Sequence, residues 1–303
     1  MNTSIIIVSY NTLNLICNCL DSVFEKTEGI DYEVIVVDNQ SPDESVQVLK
    51  EKYGNVPNFR LIELKENIGF GRANNEGFKV AQGRNILLLN PDTILINNAI
   101  KILSDYLDAN PKVGVCGGNL FDEEMKPAHS FRRMLPSIWT EINNLTFGML
   151  FRVVYWRNRE FNRSQKEMPV GYITGADMMI RKSVLDEVGH FNPAFFMYYE
   201  ETELTYRIKK AGYQVMSVPS AEIQHLEGKS FGEFKERRER MILEGRAIYC
   251  GLTMGRAKQS LVNMVFRCNI RLRLLVHSLY QRGKKGYWMR KRELYMKLNR
   301  HGE

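Results

Sequence analysis

The sequence has few cysteines and no long apolar stretch, and both features exclude classes of protein. Five of its 303 residues are cysteines, and no Cys-x-x-Cys pair occurs. An odd number of cysteines without such pairs is typical of reduced thiols in a cytoplasmic protein. No segment approaches the roughly 20 apolar residues of a membrane-spanning helix. The apolar run Ile5–Val8 is short and lacks a basic start, so we expect no secretory signal peptide.

The sequence also lacks a phosphate-binding loop that ends in Gly-Lys-Ser/Thr. The segment Asn67–Gly77 is rich in glycine and opens a helical pattern, but no such ending closes it. Its glycines permit close backbone approach, and Arg72 could pair with a phosphate; a plain turn into a helix is the alternative. A nucleotidyltransferase should carry a glycine-rich basic loop after its first strand, and Ser9-Tyr10-Asn11-Thr12 is not one.

Positive charge is concentrated in the C-terminal quarter. Residues 1–228 hold 23 Lys and Arg against 29 Asp and Glu, whereas residues 229–303 hold 19 against 6. The first part is therefore acidic and the second strongly basic. Such a basic segment favours contact with an anionic surface, and a solvated charged tail is the alternative.

The first third of the chain alternates between strand and helix patterns. The predicted strands are Ile5–Val8, Glu33–Asp38, Phe59–Leu64 and Ile86–Asn90, and the predicted helices are Leu13–Glu25, Pro42–Tyr53 and Gly71–Ala81. Continuous apolar strands between helices indicate an α/β protein with a mostly parallel, Rossmann-like sheet covered by helices on both faces. Ligands bind sheets of this kind at the carboxyl ends of the strands.

Local signals refine this pattern and extend it along the chain. Ser41 is predicted to cap the second helix, with Pro42 in the first turn. Strands are predicted at Val113–Gly117 and Val215–Val218, the latter ending before a proline, and helices at 183–188 and 201–211. Residues 128–168 are rich in arginine and aromatic residues without a clear period, so we predict a loop over the site.

Polar side chains stand at the predicted strand ends. Asn11 and Asp38 follow two of the strands, and Asn90-Pro91-Asp92 ends a third. A carboxylate buried there without a partner would be costly, and its oxygens suit Mg²⁺ or Mn²⁺, which usually also hold substrate phosphates. Asp38 could accept the imide N–H of uracil or thymine. For both aspartates, a structural turn or helix cap is the alternative.

Two further candidate positions lie downstream. Glu200, Glu201 and Glu203 place three carboxylates within four residues, and their repulsion raises at least one pKa toward the working pH of a general base. At a helix start, however, acidic residues also simply complement the helix dipole. His225 follows a predicted strand and fits a metal ligand or a structural histidine equally well.

Residues 233–303 are predicted to be helical. One apolar stripe is predicted to cover the body of the protein: Leu261, Val265, Cys268, Leu272, Leu275 and Leu279. A second stripe, Phe266, Ile270 and Leu274, is predicted to face an anionic membrane or a partner. The aromatic residues Tyr287, Trp288 and Tyr295 stand among basic residues, a mix suited to lipid headgroups. A homodimer built on the second stripe is the alternative.

Taken in order, these segments resemble family 2 glycosyltransferases, which are inverting, nucleotide-sugar-dependent enzymes of the GT-A fold. The matching segments are Ser4–Asn11, Val36–Ser41, Asn67–Gly77, Leu89–Asp92, Thr174–Ala176, Gly189–Asn192, Phe195–Arg207 and His225–Ser230. Within the family, the chain is most similar to the rhamnosyltransferase-like group of bacterial surface-polysaccharide enzymes. We expect a GT-A domain at 1–230 and a basic helical C-terminal extension at 231–303.

The resemblance implies roles for individual residues. Asp38 would bind the base, Asp92 would hold Mg²⁺ or Mn²⁺ on the diphosphate, and His225 would complete the metal site. Glu201 stands at the position of the catalytic base, and Glu200 stays an alternative because Glu201 is one methylene longer than the usual Asp. The expected donor-binding residues are Ser9, Tyr10, Asn11, Asp38, Asn67, Gly69, Arg72, Asn74, Asn90, Asp92, Gly175 and Ala176.

Besides the longer Glu201, the chain departs from the family's pattern at Asn90, and its residues leave two rival functions. Asn90 replaces the first Asp of the family's Asp-x-Asp motif, which lowers the negative charge at the metal. The rivals are a nucleotidyltransferase and a non-catalytic nucleotide-binding protein, and the carboxylates at 38, 92 and 200–203 argue against the second.

The expected activity is transfer of a sugar, with inversion, from dTDP-rhamnose or a UDP-hexose to a glycan or polyprenyl-linked glycan acceptor in O-antigen or capsule biosynthesis. The expected location is the cytoplasm or the inner face of the cell membrane, with no nucleic-acid partner.

Overall fold

A computed structural model describes residues 1–226, 235–279 and 285–300 of the protein. The strands are β1 (Thr3–Ser9), β2 (Tyr32–Asp38), β3 (Phe59–Glu63), β4 (Asn85–Leu89), β5 (Thr93–Leu95), β6 (Val113–Phe121), β7 (Phe131–Arg132), β8 (Met168–Pro169), β9 (Tyr172–Ile173), β10 (Asp177–Arg181) and β11 (Gln214–His225). The helices are α1 (Leu13–Lys26), α2 (Ser45–Tyr53), α3 (Phe70–Val80), α4 (Ala99–Ala109), α5 (Ile138–Leu145), α6 (Met149–Tyr155), α7 (Lys182–Val188), α8 (Glu200–Lys210), α9 (Lys235–Thr253), α10 (Arg256–Leu279) and α11 (Lys285–Arg300).

The main sheet is mixed but mostly parallel, as predicted. Its strand order is β3-β2-β1-β4-β10-β6-β11-β5, and β8 pairs with β11 outside this path. Strands β3, β2, β1 and β4 are parallel to one another, as are β6 and β11. Antiparallel β10 joins these two groups, and β5 is antiparallel to β11. The short strands β7 and β9 form a separate pair.

Each face of the sheet buries its own apolar cluster. Ile5 and Ile7 of β1 pack on one face with residues of α1, α2 and α4, while Ile6 and Val8 pack on the other with residues of α3, α7 and α8. Alternate side chains of a strand point to opposite faces, so a strand covered on both sides must be apolar throughout. This explains the continuous Ile/Val/Leu runs of the sequence.

The predicted start of the second helix is wrong. Helix α2 begins at Ser45, and no side chain hydrogen bond caps it. Ser41 instead belongs to the loop at the strand ends: its backbone N–H donates to Asp38 Oδ2 at 2.9 Å, and its hydroxyl accepts from the backbone N–H of Asn11 at 2.9 Å. These bonds hold the first two loops together.

Two later predictions also need correction. Residues 128–168 do not form a plain loop, because they contain β7, α5 and α6. Strand β11 does not end before Pro219 but continues to His225, with an irregular register between Ser217 and Glu222. A bulge accommodates a proline that has no N–H to donate, so the strand can resume and carry His225 to the sheet edge.

The predicted orientation of the C-terminal apolar stripes is reversed. Phe266 and Ile270 are buried and pack, together with Leu274, against Leu243 and Tyr295. Four residues of the other stripe are exposed: the leucines Leu261, Leu275 and Leu279, at 46%, 58% and 66%, and Cys268. The sequence pattern could not tell which stripe α9 and α11 would cover. The expected boundary at 230 lies outside the described residues.

The C-terminal helices pack on the body through a buried ion pair. Arg246 of α9 donates two hydrogen bonds to Glu141 Oε1 of α5, at 2.9 and 3.1 Å, and both side chains are at most 9% exposed. The guanidinium also donates to Asn263 and lies 4.0 Å from the centre of the Phe266 ring. Among the described helices, none is long and apolar enough to cross a membrane.

We predict that Arg246→Met destabilises the protein by about 3–5 kcal/mol, because removing one partner leaves a buried, uncompensated carboxylate at Glu141. The measurement is the free energy of unfolding in urea. The matched control is Arg240→Met on the same helix, which removes an exposed pair with Glu244 and should leave the stability almost unchanged. Equal losses for the two variants would contradict the prediction.

Candidate functional site

Asp38 occupies the end of β2 and offers one oxygen to a ligand. Its side chain is 2% exposed, and its Oδ2 accepts the Ser41 backbone N–H. Its Oδ1 is buried and has no hydrogen-bond partner among the described residues. An unsatisfied buried carboxylate oxygen is costly, so this geometry suits an N–H donor supplied by a ligand.

Asn39 ties the glycine-rich segment to the end of β2. Its amide nitrogen donates to Asn67 Oδ1 at 3.0 Å, and its Oδ1 accepts the Ile68 backbone N–H at 2.9 Å. Asn67 Oδ1 also accepts the backbone N–H of Gly69 at 3.1 Å. Asn67 and Gly69 thus lie at the end of β2, next to the neighbour of Asp38, and Asn39 is a structural link that the sequence did not single out.

Gly69 is required for the close approach of two loops. It has a φ of 86°, and a Cβ there would lie 2.2 Å from the Phe196 carbonyl oxygen. The next residue, Phe70, donates its N–H to that same oxygen at 2.8 Å. The start of α3 is therefore held against the segment that leads to α8.

The remaining residues of the first two loops differ in exposure. Ser9 is buried and its hydroxyl lies 2.9 Å from that of Thr12, whereas Tyr10 is 46% exposed. Asn11 has a left-handed φ of 54° and is held by Ser41. All three residues follow one another at the carboxyl end of β1, beside Asp38.

Two predicted donor-binding residues of α3 form contacts within the protein. Asn74 is buried and donates its amide to the Phe70 carbonyl oxygen at 3.0 Å. Arg72 Nε donates to the Pro193 carbonyl oxygen at 2.8 Å. The Arg72 contact fixes α3 relative to the segment before α8, whereas the Asn74 contact lies within α3.

Asp92 and His225 meet at the ends of two paired strands. Thr93 of β5 stands opposite His225 of β11, and His225 Nε2 lies 3.2 Å from Asp92 Oδ1. The Asp92 carbonyl oxygen also accepts the Leu226 backbone N–H at 2.9 Å. A carboxylate oxygen and an imidazole nitrogen at one point are donors that divalent cations accept.

Asp92 and His225 together offer two donor atoms to a metal ion. Among the described residues, no group of three or more His, Cys, Asp or Glu side chains could hold a metal ion. A metal at Asp92 and His225 would therefore take its other ligands from phosphate oxygens and water, which is how Mg²⁺ and Mn²⁺ sites at substrate phosphates are usually built. The residues present fit such a site.

Asn90 and Ala176 lie side by side between the donor and metal positions. The Asn90 backbone N–H donates to the Ala176 carbonyl oxygen at 3.0 Å, because β10 runs beside β4. The Cβ that Gly175 lacks would lie 3.8 Å from the Phe70 ring. Gly175 and Ala176 therefore line the same edge of the sheet as Asp92.

The three clustered glutamates have different surroundings. Glu203 forms a bidentate ion pair with Arg207, at 2.8 and 2.9 Å, so it is a structural residue. Burial raises the pKa of Glu200 to about 8, and the nearby Glu201 carboxylate contributes. Burial also raises the pKa of Glu201, whose Oε1 accepts the Thr202 hydroxyl at 3.1 Å. Glu200 and Glu201 therefore remain the two candidates for a general base.

A strained turn precedes these two glutamates. Tyr198 and Tyr199 have left-handed φ values of 71° and 73°, which cost non-glycine residues on the order of 1–3 kcal/mol each. Helix α9 packs directly behind them: a Cβ on Gly245 would lie 2.6 Å from the Tyr198 carbonyl oxygen, and the Tyr199 and Tyr249 rings lie 5.8 Å apart. The C-terminal helices thus support the start of α8.

Tyr172, which the sequence analysis did not single out, is a buried phenol near Glu201. Burial raises the pKa of its phenol to about 12, and Glu201 is among the charges that act on it. Its only sequence signal is its position just before the Thr174–Ala176 segment. A tyrosine that follows the arginine- and aromatic-rich residues 128–168 could not be distinguished by sequence from a packing residue.

The positions that lie at the carboxyl edge come together as one site. Asp38 and the Asn67–Gly69 turn form one end, and Asp92 and His225 form the other. Glu200 adjoins the first end, because a Cβ on Gly71 would lie 3.4 Å from the Glu200 Cβ. The site therefore contains a nucleobase-type acceptor of hydrogen bonds, a metal-type donor pair and a buried acid.

The model of the family described as "Glycosyl transferase family 2" matches residues 4–189. The chain belongs to glycosyl transferase family 2. The match contains β1, β2, the glycine-rich segment and the Asn90–Asp92 motif, so the resemblance noted from these motifs is confirmed.

Curated relatives support the same class of activity. The chain is 29% identical over 214 residues to an N-acetylglucosaminyl-diphospho-decaprenol L-rhamnosyltransferase of Mycobacterium tuberculosis, covering 66% of this chain and 68% of that one. It is 27% identical over 222 residues to the low-salt glycan biosynthesis hexosyltransferase Agl10 of Haloferax volcanii, covering 70% and 63%. The expected glycosyltransferase class is confirmed, and the two rival functions are not supported.

Solved structures confirm the GT-A fold. The mannosyltransferase PcManGT from Pyrobaculum calidifontis, in complex with GDP-Man and Mn²⁺, matches with a TM-score of 0.62 at 15% identity, covering 98% of this chain and 86% of that one. GalNAc-T7 with UDP, GalNAc and Mn²⁺ matches with a TM-score of 0.60 at 15% identity, covering 83% of this chain and 48% of that one. This chain thus spans about half of GalNAc-T7.

We predict that Glu200 makes the protein less stable as the pH rises from about 5 to about 8. The folded state keeps the Glu200 proton up to a pKa of about 8, whereas the unfolded chain loses it near 4.5, so folded protein binds more protons in this window. Glu200→Gln should remove part of this loss, on the order of a few kcal/mol, since one pKa unit is worth about 1.36 kcal/mol.

The measurement is the free energy of unfolding in urea at about pH 5 and about pH 8. The control is Glu51→Gln, which changes an exposed glutamate of α2 and should leave the wild-type pH dependence intact. An identical pH dependence in wild type and Glu200→Gln would show that the burial of Glu200 has no cost.

Proposed function

We propose that the chain is an inverting, metal-dependent glycosyltransferase that moves one sugar from a nucleoside diphosphate to a glycan or lipid-linked acceptor. The observation that carries the proposal is the pairing of Asp92 with His225 at the same sheet edge as Asp38 Oδ1, the buried oxygen without a hydrogen-bond partner among the described residues. A hydrogen-bond acceptor for a base and a pair of metal donors along one edge suit the two ends of a nucleoside diphosphate.

In this proposal, each end of the donor has its own residues. Asp38 Oδ1 accepts the imide N–H of uracil or thymine, and the Asn67–Gly69 turn packs beside it. Asp92 and His225 hold Mg²⁺ or Mn²⁺, which neutralises the charge of the leaving diphosphate when bound. The relatives' printed activities include rhamnosyl and hexosyl transfer, so dTDP-rhamnose and UDP-hexoses are the donors to test.

Glu201 is the proposed base. It lies less deeply buried than Glu200 and its Oε1 is oriented by the Thr202 hydroxyl. A raised pKa helps a carboxylate to remove a proton near neutral pH. Deprotonation of the acceptor hydroxyl would then allow direct displacement at the anomeric carbon, with inversion. The neutral form of Glu200 would reduce repulsion of the Glu201 carboxylate.

We expect Asp92→Asn to weaken Mn²⁺-dependent binding of UDP or dTDP by at least roughly tenfold, because even groups that only support a metal ligand are worth 10–100-fold. Isothermal titration with the nucleotides, with Mn²⁺ and with EDTA, measures the effect. A panel of nucleotide sugars tested for slow hydrolysis identifies the donor.

Glu201→Gln is the matched variant for this experiment. It should keep nucleotide binding and lose roughly 10²–10⁴-fold in transfer, the usual contribution of a positioned base. Unchanged Mn²⁺-dependent nucleotide binding in Asp92→Asn would show that Asp92 is not a metal ligand. Loss of transfer in Glu200→Gln, with activity retained in Glu201→Gln, would move the base by one residue.

We further propose that the C-terminal helices dock the enzyme on the inner, anionic face of the cell membrane. Helix α10 exposes Leu261, Met264, Leu275 and Leu279, at 46–66%, and Arg267 and Arg271 are also exposed. Exposed apolar residues beside basic ones suit the headgroup layer, where each basic residue adds about 1 kcal/mol. This arrangement lets a lipid-linked acceptor be reached from the membrane surface.

We predict that Leu275→Gln/Leu279→Gln reduces binding to vesicles containing phosphatidylglycerol, measured by co-sedimentation in low salt. Raised salt should also release the wild-type protein in part, because the headgroup attraction is screened. Leu252→Gln, at another exposed leucine, is the control. Equal binding of the wild-type protein to neutral vesicles would exclude docking on an anionic surface. A dimer that dissociates in the double variant would show that the exposed leucines form a dimer interface instead.

A further inference from the structure

A cavity of about 330 Å³ lies apart from the donor-binding and metal-binding positions. Its lining includes His129, Arg152, Trp156, Arg159, Glu160 and Arg163. These residues come from the segment between β6 and β8, which the sequence analysis took to be a plain loop. The cavity contributes nothing to the donor site described above, so its concentration of arginine needs its own explanation.

The cavity adjoins the metal end of the site. Strand β11 places His225 opposite Thr93 of β5 and Gln224 opposite Phe121 of β6, and Phe121 pairs with Pro127 at the cavity wall. Neighbouring strands lie about 4.8 Å apart, so the cavity wall at Pro127 lies roughly three strand spacings from Asp92. A molecule could therefore occupy the cavity and present a hydroxyl group to the donor.

The cavity carries an excess of positive charge. Its one carboxylate, Glu160, lies 3.6 Å from the Arg159 guanidinium and also pairs with Arg132. Within the described ranges, no carboxylate forms an ion pair with Arg152 or Arg163. The Arg163 guanidinium lies over the Phe161 ring, 5.3 Å from its centre. Clustered guanidinium groups of this kind bind phosphate well, since they donate several hydrogen bonds.

His129 provides a further polar atom at the cavity wall. Its Nε2 is buried and has no hydrogen-bond partner among the described residues. Burial lowers the pKa of the imidazole to about 4, and Arg132 and His225 contribute, so the ring is neutral at physiological pH. Because the neutral ring donates its one N–H to the Phe131 backbone, the unsatisfied Nε2 accepts a hydrogen bond and suits a hydroxyl group of a bound molecule, whereas the phosphate contacts fall to the arginines.

Helix α6, which supplies Arg152 to the cavity lining, also exposes apolar side chains. Val153 and Val154 of α6 are 77% and 61% exposed, Met149 is 58% exposed, and Trp156 of the cavity lining is 74% exposed. A lone exposed apolar residue is ordinary, but so many within eight residues form a patch of the kind that marks an interaction site. A ligand with a phosphate group and an apolar chain would match both parts.

We propose that this cavity binds the phosphate or diphosphate group of a lipid-linked acceptor through Arg152, Arg159 and Arg163, with the exposed side of α6 along the lipid chain. The inference rests on the proposed function, because it names the class of acceptor. An acceptor held there would place its sugar toward Asp92 and Glu201, while its lipid chain leaves along α6 toward the membrane.

The test measures binding of undecyl diphosphate to the full chain by isothermal titration, with saturating UDP and Mn²⁺ so that the donor site is filled. Arg152→Gln and Arg163→Gln should each weaken binding roughly tenfold, the usual scale for a lost charged hydrogen bond. Lys112→Gln removes the same charge from an exposed position elsewhere and should have no effect. Dodecyl maltoside, an uncharged single-chain ligand, should bind equally to all variants.

Several outcomes would overturn the proposal. Undecyl diphosphate that binds no better than dodecyl maltoside would exclude a phosphate site. Inorganic pyrophosphate that binds as tightly as undecyl diphosphate would exclude the role of α6 and leave a site for free phosphate. Equal weakening by Lys112→Gln would reduce the effect to overall charge. Failure of UDP and Mn²⁺ to bind would overturn the donor site instead, and the undecyl diphosphate titration would still report on the cavity.

Discussion

The pairing of β5 with β11 is the constraint on which the site depends. It sets His225 opposite Thr93 and so brings the imidazole to Asp92, although 133 positions separate the two residues in the sequence. The irregular register around Pro219 lets one strand serve both ends of this arrangement, first beside β8 and then beside β5. A shift of one residue would turn His225 to the other face of the sheet and remove it from Asp92.

The sequence predicted the parts of the fold in which local pattern and tertiary role agree. Runs such as Val34–Val37 are apolar because both faces of the sheet are covered, so their interpretation as buried parallel strands was secure. Asp38 and Asp92 could be found because a carboxylate directly after such a run is costly without a ligand. The glycine-rich segment was informative because Gly69 fills a space that no side chain can occupy.

Other features depended on contacts that no local pattern encodes. Helix α10 carries two apolar stripes, and only its packing against Leu243 and Tyr295 decides that Phe266 and Ile270 are buried. Ser41 is of a residue type that often caps helices, but it forms its hydrogen bonds with Asp38 and Asn11. Glu203 belongs by sequence to the same acidic cluster as the candidate bases Glu200 and Glu201, but in the structure it pairs with Arg207. In each case, the side chain contacts a residue that the local pattern did not single out as its partner. The local pattern alone therefore suggested another role for it.

The contact between α9 and the Tyr198–Tyr199 turn bears on how this enzyme could be re-engineered. The family match ends at residue 189, yet the candidate base lies beyond it and the turn before that base packs against Gly245. A chimera that exchanged only residues 4–189 with a relative would combine the donor-binding loops of one protein with the candidate base of the other. The α9 helix that packs behind this base would also come from the other protein. Gly71 would then meet an unmatched Glu200, and Phe70 an unmatched Phe196. The unit that can be exchanged intact is therefore longer than the segment by which the family is recognised, and it extends into α9.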